Sequence, residues 1–335
     1  MTRRTFAASL ASVAAMRAAV PRSTLGVAET SFNVSKPKDT LGLLELAASL
    51  GAGGIQASLS SKEPAYLRKL RDRAGELGMY LETMVPFPKQ VQSMAAFEAG
   101  LAASKEAGAI AVRTATDGGR RYEKWKTPEA WAAFLKETSF GVQAIAKAAE
   151  TAKIPVGIEN HKDYAIEELL GAMKRLGSDY FGVTLDFGNN ITLLDPLNLV
   201  FELAPYTKLT HLKDNSLELY PEGFLCGDVV LGEGILDVAK IVAAVREKQP
   251  KTRFTLEMMT RDPLPVPCLT EAYWVTFPAR SGRTLAYAMT LARKTAATHP
   301  PLPRYGHFDP RSLAHVELEN VTGCLYYART TLGLV

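Results

Sequence analysis

Four short apolar runs between residues 155 and 258 end in residues able to ligate a metal. They are Ile158-Glu159-Asn160-His161, Leu185-Asp186-Phe187-Gly188-Asn189, Thr210-His211-Leu212-Lys213-Asp214 and Leu256-Glu257-Met258. Glu159, Asp186, His211 and Glu257 together make a mostly hard donor set of three carboxylates and one imidazole. Such a set suits one divalent ion, with Mn²⁺ expected first and Mg²⁺ or Co²⁺ as alternatives; the sulfur ligands of structural zinc are absent from it. Any one of these residues, taken alone, reads better as a salt-bridged or capping group. Four on successive strands do not, because ionisable groups converging in one pocket would repel unless a cation neutralised them. Cys226, Cys268 and Cys324 are widely spaced and odd in number, so they form no zinc spacing and no disulfide framework, though a single bridge stays open.

The elements that must position these groups alternate from about Leu25 onward. Strands are expected at Leu25 to Ser31, Gly54 to Ser58, Met79 to Val85, Ala109 to Thr114, Pro155 to His161, Phe181 to Phe187, Lys208 to Lys213 and Arg253 to Met258. Between them fall helical patterns at Leu41 to Leu50, Ala65 to Leu77, Met94 to Ala107, Pro128 to Thr151, Ala165 to Leu176, Leu197 to Leu203 and Asp237 to Lys248, with a last helix at Gly282 to Ala296. Eight strands alternating with helices predict an α/β chain folded as a (β/α)8 TIM barrel, in which reacting groups sit at the C-terminal ends of the strands. An open doubly wound sheet is the competing architecture. It usually carries a Gly-rich turn after the first strand, and here Asn33-Val34-Ser35-Lys36-Pro37 follows instead. The barrel domain is expected over residues 23–300. The Pro-rich pieces Asp262 to Pro267 and Pro300 to Pro303 read as ordered loops, and residues 301–335 as a C-terminal extension over a barrel end or a neighbouring subunit.

Residues 1–22 do not read as fold. Thr2-Arg3-Arg4-Thr5-Phe6 precedes an alanine-rich, mildly apolar stretch, with no acid before Glu29, which predicts a twin-arginine signal and export to the periplasm. A disordered basic N-terminus on a cytoplasmic protein is the alternative. No segment approaches roughly 18 uninterrupted apolar residues, so no membrane anchor is expected. The net charge of +4 includes Arg3, Arg4, Arg17 and Arg22. The remaining domain is near neutral and lacks the positive field that draws nucleic acid.

With these motifs in view, the chain resembles the xylose-isomerase-like barrel superfamily. The similarity is to its sugar isomerases and epimerases, the group with tagatose and allulose 3-epimerases and inosose dehydratase. It covers about residues 25 to 260 and rests on Glu159-Asn160-His161, Asp186-x-Gly188, His211-x-Lys213-Asp214, the Leu231-Gly232-Glu233-Gly234 turn with Asp237, and Leu256-Glu257. The resemblance implies that Glu159, Asp186, His211 and Glu257 bind the metal and that the two glutamates also move protons on opposite sides of the substrate. A proton α to a carbonyl leaves at neutral pH only if the enediolate it leaves behind is stabilised, which a metal does as a Lewis acid while a carboxylate takes the proton. Two departures stand out. Relatives often carry Asp-x-x-His where this chain has Asn189, and a glutamate where it has Gln56; an amide binds a hydroxyl but cannot titrate.

Weaker candidates surround this set. His161 and Lys213 share, by period-two alternation, the side of Glu159 and His211, and are expected in the pocket with Asn189. Glu82 and Arg113 are expected either to touch substrate hydroxyls or to form a buried ion pair below it. Tyr273 and Trp274 read equally as an aromatic wall for a sugar or as core, and Gly232 and Gly234 as turn formers.

The leading expectation is a metal-dependent isomerase or epimerase of a keto sugar, with Glu159 and Glu257 as the catalytic pair, one divalent ion as cofactor and a small carbohydrate as substrate. A metal-dependent lyase or dehydratase acting on a keto sugar or an oxidised glycoside is the nearest rival. An AP endonuclease, which would need further metal-binding histidines, and a non-catalytic sugar-binding barrel stand further off. A homo-oligomer is compatible with the sequence.

Overall fold

The structure is a computed structural model describing residues 22–116 and 119–335. The twin-arginine motif at residues 2–6 lies outside the described residues.

Eight parallel strands form the barrel wall: β1 Gly26–Ala28, β2 Gly54–Ser58, β3 Tyr80–Met84, β4 Ala111–Thr114, β5 Val156–Glu159, β6 Phe181–Asp186, β7 Thr207–His211 and, after a hairpin described below, β10 Thr255–Leu256. Their order is β10-β1-β2-β3-β4-β5-β6-β7. The ring closes where Leu212 N donates to the Thr255 carbonyl (2.8 Å) and Glu257 N to the Leu212 carbonyl (3.0 Å). A doubly wound sheet would reverse its strand order at a switch point; this order runs once around without reversal. β6 is buried along its whole length, as expected of a strand with side chains alternately facing the barrel interior and the outer helices.

The outer helices are α1 Thr40–Ser49, α2 Pro64–Glu76, α3 Met94–Glu106, α4 Pro128–Ala152, α5 Ile166–Leu176 and α6 Val238–Lys248. Their starts are written in the sequence. Asp39 accepts from Gly42 N, Asp237 from Lys240 N, and Thr127 from Ala130 N just ahead of Pro128 at the first helical position. The segment expected as a helix at Leu197 to Leu203 forms instead a 3-10 helix over Leu197–Tyr206. Pro205 within it has no N–H with which to close a last α turn.

The sequence reading missed a β-hairpin, β8 Asp214–Tyr220 and β9 Gly223–Val229, inserted between β7 and α6. Its signal was present: Pro221-Glu222 separates two alternating runs, and Gly223 takes a φ of 151° that a side chain rarely tolerates. The expected loop at Asp262 to Pro267 supplies a third strand, β11 Leu264–Val266, antiparallel to β9. Pro265 is tolerated there because β11 is an edge strand.

Helix α7 Gly282–Thr298 follows, and then α8 Pro310–Thr330. Val321, Cys324, Leu325 and Ala328 of α8 belong to the main hydrophobic core, so residues 310–330 pack against the barrel domain. Glu317 of α8 accepts from Asn33 N, Val34 N, Ser35 N and Ser35 Oγ, at the C-terminal end of β1. Beyond α8, the Leu334 carbonyl accepts from Ser23 Oγ and Thr24 N at the opposite end of β1. The three cysteines are free and buried.

Candidate metal centre

Four strand ends converge. Glu159, Asp186 and His211 are the last residues of β5, β6 and β7, and Glu257 follows β10 directly. One ligand atom of each lies within 4.8 Å of all the others, and all four residues are buried. The pairing of β6 with β7 sets Asp186 opposite His211, which fixes their common height in the barrel. His211 Nδ1 sits 3.3 Å from Glu159 Oε1, 3.4 Å from Glu257 Oε2 and 3.7 Å from Asp186 Oδ2.

The other ring nitrogen fixes what Nδ1 offers. His211 Nε2 is 2.6 Å from Gln56 Oε1, while Gln56 Nε2 donates to Glu82 Oε2 (2.9 Å). The amide oxygen is thus an acceptor and Nε2 carries a hydrogen, so Nδ1 is the ring nitrogen turned toward three carboxylates. Only a cation or a proton at that point makes the arrangement favourable. Burial disfavours the charged ring, but Glu257 and Glu159 outweigh it and push the imidazole well above its ordinary range. Asp186 Oδ2 is buried without a hydrogen bond, although Lys213 Nζ lies 2.8 Å away as an ion pair. Three buried carboxylates facing one imidazole nitrogen, all within reach of a common point, make a mostly hard donor set that fits a divalent ion held by Glu159, Asp186, His211 and Glu257.

Surrounding groups hold the carboxylates. Arg113 donates from Nε to Glu159 Oε2 (2.8 Å) and again from its terminal nitrogen. Burial works against ionisation of Glu159, yet Arg113 and His211 prevail and hold its carboxyl well below the usual carboxylate range. Glu257 is held low in the same sense: burial opposes, and His211 and Lys213 win. Its Oε2 accepts from Lys213 Nζ (2.5 Å) and its Oε1 from Thr30 Oγ1 (2.9 Å). Asn160 brackets Asp186 from both sides, accepting from Asp186 N (2.7 Å) and donating to the Asp186 carbonyl (2.8 Å).

The expected pocket residues separate. Asn189 donates to Glu159 Oε1 (3.1 Å), and Lys213 bridges Asp186 and Glu257. His161 lies just beyond the end of β5, so strand alternation no longer governs it. Its Nδ1 is buried with no partner, and burial and the Lys162 charge push its pKa down to about 4. The ion pair weighed for Glu82 with Arg113 does not form. Arg113 goes to Glu159, whereas Glu82 stays in the barrel interior, hydrogen-bonded to Gln56 and Thr255, and burial lifts its pKa to about 7. Tyr273 is core, its hydroxyl donating to the Thr192 carbonyl (2.8 Å). Gly232 has a φ of 88°, the turn role expected of it.

Sequence reasoning left three contributors out of its site. Thr30 and Gln56 lie on the half of the barrel that brings no ligand, and only the closed ring carries them to Glu257 and His211. Lys162 is buried and donates to Asn189 Oδ1. Its one signal was its place in the run Glu159-Asn160-His161-Lys162-Asp163.

The chain is 25% identical over 227 residues to 3-oxo-isoapionate decarboxylase of Pectobacterium atrosepticum, covering 65% of this chain and 77% of that protein. Among solved structures, 3-keto-D-glucoside 4-epimerase from E. coli superposes with a TM-score of 0.55 at 13% identity, over 80% of this chain and 100% of the other. A xylose isomerase-like TIM barrel protein from Mycobacterium smegmatis in complex with magnesium gives a TM-score of 0.52 at 16% identity, over 79% and 97%. Identities this low in the two structures show a shared fold. A family model described as "Xylose isomerase-like TIM barrel" matches residues 44–275, and the chain belongs to that family.

Proposed function

We propose that this protein is a divalent-metal-dependent isomerase or epimerase of keto sugars. The observation that carries the reading is the pair of buried glutamates, Glu159 and Glu257, at the outer ends of the four-residue arc, both held ionised by neighbouring cations. A divalent ion bound by the arc would supply Lewis acidity to the oxygens of a keto sugar and ease the charge of an enediolate. An ionised carboxylate beside that point is a base ready to take a proton from the carbon next to the carbonyl. Two ionised carboxylates cannot both give and take, so the returning proton needs a donor. Lys213, 2.5 Å from Glu257 Oε2, is the ammonium group placed to supply it. Arg113 keeps Glu159 oriented as well as ionised, and Asn189 fixes its second oxygen.

The test is incubation of the Mn²⁺-loaded protein with ketoses in D₂O. One carbon-bound hydrogen should exchange, and exchange should vanish in Glu159→Gln and Glu257→Gln. No exchange in the wild type with any keto sugar defeats the proposal. A lyase is the second reading, supported by the same Lys213, which could protonate a departing group, and by the resemblance to a protein named a decarboxylase. Release of an unsaturated product, an aglycone or CO₂ would select it. Export from the cytoplasm is proposed from residues 1–22 and tested by fusing them to a reporter; a reporter wholly in the cytoplasm ends that idea.

A further inference from the structure

Beside the four ligands lies a corner that the proposed proton transfers leave unused. Lys162 is 7% exposed, and its ammonium donates only to the amide oxygen of Asn189. Among the described residues no carboxylate lies within ion-pair distance of it. An ammonium group buried on a neutral partner alone is unfavourable, since an amide returns only part of the lost hydration. The charged groups that bear on it are Lys213, Asp186, Arg261 and Asp228. Lys213 is committed to Asp186 and Glu257. Asp228 accepts from Asn215 Nδ2 (2.7 Å) and Met259 N (3.2 Å). Arg261, partly exposed on the loop after β10, makes no hydrogen bond or ion pair among the described residues. Neither Lys162 nor Arg261 has a carboxylate within ion-pair distance among the described residues, and Asp228 is engaged by Asn215 and Met259. The neighbouring His161 Nδ1 is buried and also without a partner.

We infer that the substrate carries a carboxylate, and that Lys162 together with Arg261 recognises it. The inference rests on the keto-sugar reading and narrows it to keto-sugar acids. Reach favours it: the Asn189 amide joins Lys162 to Glu159, so an anion on Lys162 lies one amide away from a metal ligand. Two remaining ammonium hydrogens, a planar guanidinium fork and a free imidazole nitrogen match the paired oxygens of a carboxylate.

Calorimetry on the full chain loaded with Mn²⁺ tests this, with D-gluconate, D-glucitol and glucose 6-phosphate as probes. Gluconate should bind roughly tenfold or more tighter than glucitol. Lys162→Met should bring that ratio close to one, and Arg261→Gln should lower it part of the way. A ratio near one in the wild type overturns the inference, as does a ratio that neither substitution moves, or tighter binding of glucose 6-phosphate than of gluconate. If Lys162→Met fails to fold, the partly exposed Arg261→Gln still decides. Proton exchange with neutral ketoses but no preference for gluconate sinks this inference alone. A gluconate preference lost in Lys162→Met, with no exchange on any keto sugar, supports it while sinking the proposed reaction.

Discussion

Glu82 and Glu159 are buried to the same degree inside one barrel, yet their pKa values are pushed in opposite directions. Glu82, midway along β3, is surrounded by neutral hydrogen-bond partners, Gln56 and Thr255, and burial raises its pKa to about 7. Glu159, at the end of β5, meets the Arg113 guanidinium and stays far below the usual range. Depth therefore does not decide whether a carboxyl is a base here; the charge of its immediate partner does. The barrel uses this division. A carboxyl poised near neutrality stands behind Gln56, which holds His211, and an ionised one stands where the proposed reaction would take a proton.

The largest break in this contrast should come at Glu159 itself. Glu159→Gln keeps the shape and removes the charge, and deuterium exchange into a keto sugar should fall by about 10³-fold or more; a loss of less than tenfold would show that another group is the base. Arg113→Met comes next. It strands a buried carboxylate, so urea unfolding at pH 7 should register a loss of about 3–5 kcal/mol, and the acid limb of any pH–rate profile should move upward. An unmoved limb would detach Arg113 from the ionisation of Glu159.

Glu82→Gln sharpens the other half. The folded pKa of Glu82 lies above its unfolded value of about 4.5, so its contribution to stability is full below that value and is lost as the pH rises through about 7. The amide cannot ionise. The variant should match the wild type near pH 4 and exceed it at pH 8 by on the order of 2 kcal/mol. Equal stability at pH 8 would mean that Glu82 ionises in the fold at no cost. The smallest effect is expected at Glu317, a third buried carboxyl, which is served by backbone N–H groups. Glu317→Gln should lower stability by about 1 kcal/mol, since one acceptor oxygen survives. A loss as large as that of Arg113→Met would contradict the ranking.

The convergence of Glu159, Asp186, His211 and Glu257 was legible in the sequence because each stands at a strand end, and a parallel barrel brings strand ends to one level. The partners that set their charge were less so. Arg113 was recognised as a strand-end candidate, but its choice of Glu159 over Glu82 depends on register across β3, β4 and β5. Gln56 and Thr30 reach the site only through ring closure, which no local pattern encodes. His161 and Lys162 follow the last residue of β5, where the period-two rule stops applying. Pro221-Glu222-Gly223 could have revealed the hairpin, but its first strand follows β7 with only Leu212 and Lys213 between them and no turn residue to separate the two. Helix α8 was hidden by distance, since Pro-rich chain separates it from everything it packs against.

The hydrogen bond from Ser23 to the Leu334 carbonyl spans 311 residues, and that from Thr30 to Glu257 spans 227. On a ribosome adding about 5–20 residues per second, β1 emerges some tens of seconds before its neighbours β10 and α8 exist. The pocket is therefore a property of the finished polypeptide. A nascent chain carries Glu159, Asp186 and His211 before Glu257 has been made, and its first strand spends that interval with one edge unpaired.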